Sequence, residues 1–283
     1  MPFRPIEREL PGRGRAEFRF YGALNDFLPA AFRQATIRRA LDGTPAVKDV
    51  IEAIGVPHPE IGLVVVNGEP ATFACRVSAG DRVAVFPPFR SIELGAVVSV
   101  APPALPVTAL RFVVDGHLGR LAAYLRMCGF DTVYDNHAAD PELARRSAAD
   151  DRVLLTRDHG LLKRGIVARG YFVRSDRPHD QLAEVIERFD LAAAARPFGR
   201  CLRCNGELEP AERTSVRDQV PPRVFGEQPE FRRCPSCSAI YWRGSHRARM
   251  ERLLRSVLPG IGSIETEGSP RQGGGLPRSA PAL

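Results

Sequence analysis

The chain has 283 residues, 44% hydrophobic and 26% charged, with a formal net charge of +7. These values are ordinary for a soluble globular protein of one to three domains. The charge is compatible with a polyanionic partner, but nearly all of it is arginine, with Lys48 and Lys163 the only lysines, so it reads as codon usage as much as phosphate recognition.

Residues 1–16 read as a flexible polar tail, and MPFRPIEREL lacks the apolar core of a secretory signal. EFRFYG (17–22) alternates apolar and polar residues and predicts a strand. Thr44-Pro45 reads as the cap and first residue of a helix whose apolar face is Val47, Val50, Ile51 and Ile54. IGLVVVNGEPATF (61–73) predicts a hairpin turning at Asn67-Gly68, because both turn positions must tolerate positive φ. Gly80-Asp81 marks a further turn before the strand RVAVF (82–86). Strand, helix, hairpin and strand make a compact α+β unit. With GDRVAVFPPF as its most telling piece, this segment resembles the β-grasp, ubiquitin-like domains of the ThiS/MoaD type, and the domain is set at 17–90. Sulfur carriers of that type end in a free Gly-Gly, whereas here Phe89-Arg90 runs on. A carrier role is therefore not expected, and the resemblance leaves binding of a protein partner or orientation of substrate.

Residues 91–109 read as a Pro-rich linker. LGAVVSVAPPALPVTAL (94–110) is too short and, with Pro102, Pro103 and Pro106, too broken for a membrane helix. A second domain spans 110–196. RFVVD is a strand, followed by a helix with Leu118, Leu121, Ala122, Leu125 and Cys128 on one face and Gly129 as its stop. DTVYD (131–135), RVLLT (152–156) and GYFVR (170–174) are further strands. Helices open at Asp140-Pro141 and run over 178–189, the latter with Leu182, Val185, Ile186 and Phe189 inward. Strands alternating with helices predict a parallel sheet.

FVVDGH (112–117) and LLTRDHG (154–160) both place an aspartate just after an apolar run. In a parallel sheet the strand C-termini share one edge, where ligands bind. Asp115 and Asp158 are expected at that edge, Asp140 opens the helix after the second strand, and Asp176 follows the fourth as a possible further acid. Clustered carboxylates repel unless a cation lies among them, and hard oxygen ligands suit Mg²⁺ or Mn²⁺. The alternative is that each aspartate is a helix N-cap, a reading at least as good for Asp140 before Pro141. Arg120, Arg126 and Arg157 read either as phosphate contacts or as solvated and paired charges.

DGHLGRLAAYLRMCGFDT, DPELARR and RVLLTRDHGLL, in this order, resemble the Mut-seven C-terminal RNase family, a branch of the PIN-like nucleases. The resemblance covers about 110–250. It implies a PIN-like α/β/α fold, metal-dependent RNA cleavage by an acidic cluster, and catalytic acids at Asp115, Asp140 and Asp158.

The third unit, 197–256, comprises a zinc ribbon and a basic helix. Cys201, Cys204, Cys234 and Cys237 form two CxxC pairs. Four thiolates suit tetrahedral Zn²⁺ and leave no open position, so the metal is expected to be structural. Tyr241 and Trp242, with Arg243, Arg247, Arg249, Arg252 and Arg255 behind them, suit base stacking and phosphate tracking; the alternative is that Trp242 packs the small core of the ribbon. Residues 257–283, rich in Gly, Pro and Ser, read as disordered.

The chain is thus expected to be a cytoplasmic ribonuclease with catalytic Mg²⁺ or Mn²⁺ and structural Zn²⁺. The alternative is a non-catalytic RNA- or ribosome-binding protein on a PIN-like scaffold.

Overall fold

The computed structural model describes residues 14–89 and 99–258. The expected N-terminal tail up to residue 13, part of the linker (90–98) and the Gly/Pro-rich stretch from 259 onward lie outside the described residues.

The first domain is built on strands β1 (Arg15–Phe20), β2 (Thr36–Ala40), β3 (Leu63–Val66), β4 (Glu69–Ala71) and β5 (Arg82–Phe86), with helix α1 (Val47–Ile54). The strand order is β2-β1-β5-β3-β4, and β1 and β5 run parallel at its centre. Alternation along β1 and β5 turns Phe18, Phe20, Val83 and Val85 inward, where they meet Val47, Val50, Ile51 and Ile54 of α1. Each such side chain contributes roughly 1.5–3 kcal/mol by leaving water. The hairpin turns as expected, with Asn67 at φ 53° and Gly68 at φ 94°. This is the β-grasp arrangement.

Two expectations need correction. Helix α1 starts at Val47 after Ala46, not at Thr44-Pro45, because Pro45 and Ala46 are engaged with a neighbouring strand segment: Val77 N–H donates to the Pro45 carbonyl and Ala46 bridges Arg76. Strand β2 was not foreseen. Its segment TIRRA buries only Ile37, so it carries no apolar alternation to read. The linker is also less free than its prolines suggest: Val100 N–H and the Ser99 hydroxyl both donate to the Gly62 carbonyl at 3.0 Å.

The central region contributes β6 (Phe112–Val114), α2 (Gly119–Met127), β7 (Thr132–Tyr134), α3 (Asp140–Ala149), β8 (Val153–Thr156), α4 (His159–Leu162), β9 (Gly170–Phe172) and α5 (Pro178–Arg188). β6 and β7 pair in parallel, as do β8 and β9. The α2 face is buried throughout, and Gly129 ends the helix at φ 96° with its α-carbon against the Arg196 carbonyl. A β-carbon there would stand 2.2 Å from that oxygen, so no other residue fits. Leu182, Val185 and Ile186 of α5 are buried as expected, and half-buried Phe189 meets Phe112 edge-on.

The C-terminal region carries an antiparallel sheet of β10 (Glu209–Ala211), β11 (Phe231–Arg233) and β12 (Ile240–Trp242), with α6 (Pro222–Glu227) between the first two strands and α7 (Ser245–Val257) after the last. The described residues fall into two compact units, those up to 104 with 139–172, and 105–138 with those from 173 onward. Asp140 and Asp158 belong to the first, and Asp115, Asp176 and the four cysteines to the second.

Candidate functional site

The best-defined cluster is the cysteine site. Cys201 and Cys204 flank one CxxC turn, and Cys234 and Cys237 flank the turn between β11 and β12. Their four sulfurs lie within 4.8 Å of one another, and among the described residues this is the group of such ligands gathered so closely. Cys201 and Cys237 are 3.5 Å apart, Cys204 and Cys234 3.4 Å. Zinc–sulfur bonds of about 2.3 Å place tetrahedral thiolates about 3.8 Å apart, so the donor set fits Zn²⁺. All six cysteines are free thiols, none in a disulfide.

Sequence reasoning missed how this site is held. The Tyr241 hydroxyl accepts from Leu202 N–H at 3.1 Å and lies 3.2 Å from the Cys201 sulfur, to which it donates. Burial alone would raise the Cys201 pKa, but bonds from Tyr241 and from the backbone N–H groups of Cys204 and Arg203 hold it down at about 6. Local desolvation, with the neighbouring sulfurs of Cys234, Cys237 and Cys201, pushes the Cys204 thiol up to about 12. Arg126, at the end of α2, is buried at 5% exposure. It donates to the carbonyls of Thr132 (2.9 Å), Leu202 (3.0 Å) and Arg203 (3.0 Å). Asn205, at φ 71° after the first knuckle, accepts from Thr132 N–H and donates to Asp131. Arg126 is therefore a strut inside the protein, and the expectation that it contacts RNA is corrected. Burial lowers its pKa, while Cys201, Cys204, Tyr241 and Asp131 act to raise it.

The aromatic pair is also corrected. Tyr241 faces the sulfurs, and Trp242 packs half-buried against the core of Val216, Val220 and Phe231, the alternative already weighed for it. Arg247 lies over the Phe198 ring at 4.3 Å and pairs with Glu251 at 2.8 Å, so it is not a free member of an arginine row. Arg243, Arg249, Arg252 and Arg255 are exposed, as are Arg120 and Arg157.

The acids take different roles locally. Asp158 is an N-cap: its Oδ1 accepts from Gly160 N–H at 2.6 Å and Leu161 N–H at 3.4 Å. Oδ2 makes no bond among the described residues. Asp115, 8% exposed, sits at the cap position after β6 but makes no side-chain cap bond. Asp140 is not a cap, since Ala139 precedes α3 and Asp140 is its first helical residue; its carboxylate lies 3.9 Å from Arg164. Asp176 is exposed, and its carbonyl accepts from Gln181 at 3.3 Å. The capping alternative thus applies to Asp158 alone of the three main acids.

Two family models match the chain: the Mut7-C RNAse domain over residues 110–254, just over half of it, and the Mut7-C ubiquitin over residues 14–93. No curated protein matches. Among solved structures, the crystal structure of the H. volcanii small archaeal modifier protein 1 is 27% identical, with a TM-score of 0.23, covering 27% of this chain and 99% of that one. A crystal structure of SAMP1 from Haloferax volcanii is 28% identical, with a TM-score of 0.22, covering 27% and 97%. The solution structure of the Haloferax volcanii HVO 2177 protein is 21% identical, with a TM-score of 0.23, covering 31% and 96%. Among the described residues, no helix is long and apolar enough to cross a membrane.

Proposed function

The chain belongs to the Mut7-C RNAse domain family, and from that premise we propose that it is a divalent-metal-dependent ribonuclease hydrolysing RNA phosphodiester bonds at Asp115, Asp140 and Asp158. The match over 110–254, which contains all three acids, carries the reading. The Oδ2 of Asp158 supports it, because Oδ1 alone serves the cap of α4.

Carboxylate oxygens are the donor type that Mg²⁺ and Mn²⁺ prefer, and Asp115, Asp140 and Asp158 offer them, with Asp176 as a further acid. When bound, such an ion supplies Lewis acidity and offsets phosphate charge. The exposed guanidinium groups of Arg120, Arg157, Arg243, Arg249, Arg252 and Arg255 would position the RNA backbone. Zn²⁺ at the four cysteines would be structural, since all four positions are filled by protein. A cytoplasmic location suits six free thiols.

The test is Asp158→Asn. Asparagine caps helices as well as aspartate does, so α4 is retained while one anionic ligand is lost. Cleavage of labelled RNA in Mn²⁺ is expected to stop while filter retention of RNA persists. Undiminished cleavage would contradict the assignment, and an RNA-retaining wild type that never cleaves would favour the binding-protein reading.

A further inference from the structure

Charged groups are seldom buried without partners. The turn 58–60 of the ubiquitin-like domain buries two, with His58 7% and Glu60 3% exposed. Their partners identify what the turn is built to hold. Glu60 accepts from the Phe172 N–H at 2.6 Å, at the last residue of β9. His58 contacts the Glu52 carboxylate through Nδ1 at 2.6 Å and the Val167 carbonyl through Nε2 at 2.8 Å. Each ring nitrogen thus faces an oxygen, one from α1 and one from the segment before β9.

The contact continues on either side. Lys163, the C-cap of α4, donates to the Glu52 carbonyl at 2.7 Å. Burial lowers its pKa, and Glu52 acts against that. The His159 ring stands edge-on to Phe172 at 4.4 Å and to Phe27 of the ubiquitin-like domain at 5.2 Å. Phe172 packs on the core of that domain. At Gly170 a β-carbon would lie 3.4 Å from Pro59 and 2.6 Å from Leu162, so the turn rests directly on β9.

Helix α4 is one turn long and cannot hold its own geometry. Its N–H groups at Gly160 and Leu161 aim the Asp158 carboxylate. Resting on the nuclease reading, we infer that the ubiquitin-like domain is an internal clamp. Its Glu52, His58 and Glu60 hold α4 and β9, together with Lys163, and so position Asp158. These are positioning residues, and the face that carries them is occupied by the chain's own segment rather than offered to a separate partner.

The test uses the full chain with Glu60→Ala, Glu60→Gln and Lys163→Met, read by amide hydrogen exchange and by RNA cleavage kinetics. Losing a bond to a charged group is expected to speed exchange across 159–172 by about tenfold to a hundredfold in Glu60→Ala and Lys163→Met, with β1 and β5 still protected. In the same two variants kcat falls while KM holds. Glu60→Gln, whose amide oxygen still accepts from Phe172, stays near wild type in both readouts. Wild-type exchange across 159–172 in Glu60→Ala and Lys163→Met would overturn the clamp. Raised exchange with undiminished kcat would overturn its positioning role. Should the wild type cleave no RNA, the nuclease reading fails and the exchange result alone decides the clamp.

Discussion

Arg126 donates to the Leu202 carbonyl at 3.0 Å, joining the end of α2 to the first CxxC knuckle. The same nitrogen reaches Arg203, and Nε reaches Thr132. Arg126→Met would leave three carbonyls without this donor. A loss of about 2–4 kcal/mol is expected, read as a lower denaturation midpoint, together with faster release of zinc to a chelator. Unchanged zinc release would show that the strut does not support the knuckle.

The cysteine cluster predicts one zinc per chain, measured by elemental analysis on purified protein. Cys234→Ser is expected to abolish binding, because three thiolates and a hydroxyl bind far more weakly. The ribbon core of Cys201, Leu208 and Cys234 is small, so metal removal should unfold this part first. Exchange protection lost at β10–β12 and kept at β1 and β5 would be the corresponding signature.

Gly129 tests the backbone. With φ at 96° and the Arg196 carbonyl in the β-carbon's place, Gly129→Ala should cost about 2 kcal/mol or more. Gly43, also at positive φ but with open space around it, should lose less on the same change. Equal thermal shifts for the two would contradict the close approach.

Cys128 sets a pH dependence. Burial pushes its thiol up to about 12 from an ordinary value of 9.0. Its folded pKa is the higher one, so the unfolded chain releases the proton first. Stability from this group is complete below about pH 9 and is lost as pH rises from there toward 12, at up to about 1.4 kcal/mol per pH unit. Cys128→Ala should flatten that alkaline decline in denaturant midpoints, and an unaltered slope would assign the decline to other groups.

Much of this was legible in the sequence where a pattern repeats along the chain. The inward faces of α1, α2 and α5 follow their apolar periodicity, and the Asn67-Gly68 hairpin follows its turn chemistry. The CxxC pairs announced the cysteine cluster because two ligands per turn is a local signal. What escaped depends on pairs distant in sequence. Arg126 looked like one more arginine on a helix, and only folding brings it to residues 202 and 203. Tyr241 looked like a base-stacking ring until its hydroxyl met Cys201. His58 and Glu60 carried no motif, although Lys163, one of two lysines in an arginine-rich chain, was a faint sign of a particular role. Asp115 and Asp140 could be read as caps or ligands from spacing; Asp115 makes no side-chain cap bond, and Ala139 takes the cap position before Asp140.

The central claim is that the acids are a catalytic site. The most direct measurement is cleavage of labelled total RNA in Mn²⁺ by wild type and by Asp115→Asn, with zinc content checked in both. The account predicts cleavage by wild type and none by the variant at equal zinc content and equal RNA retention. Equal cleavage by both proteins, or none by either with RNA still bound, would contradict it.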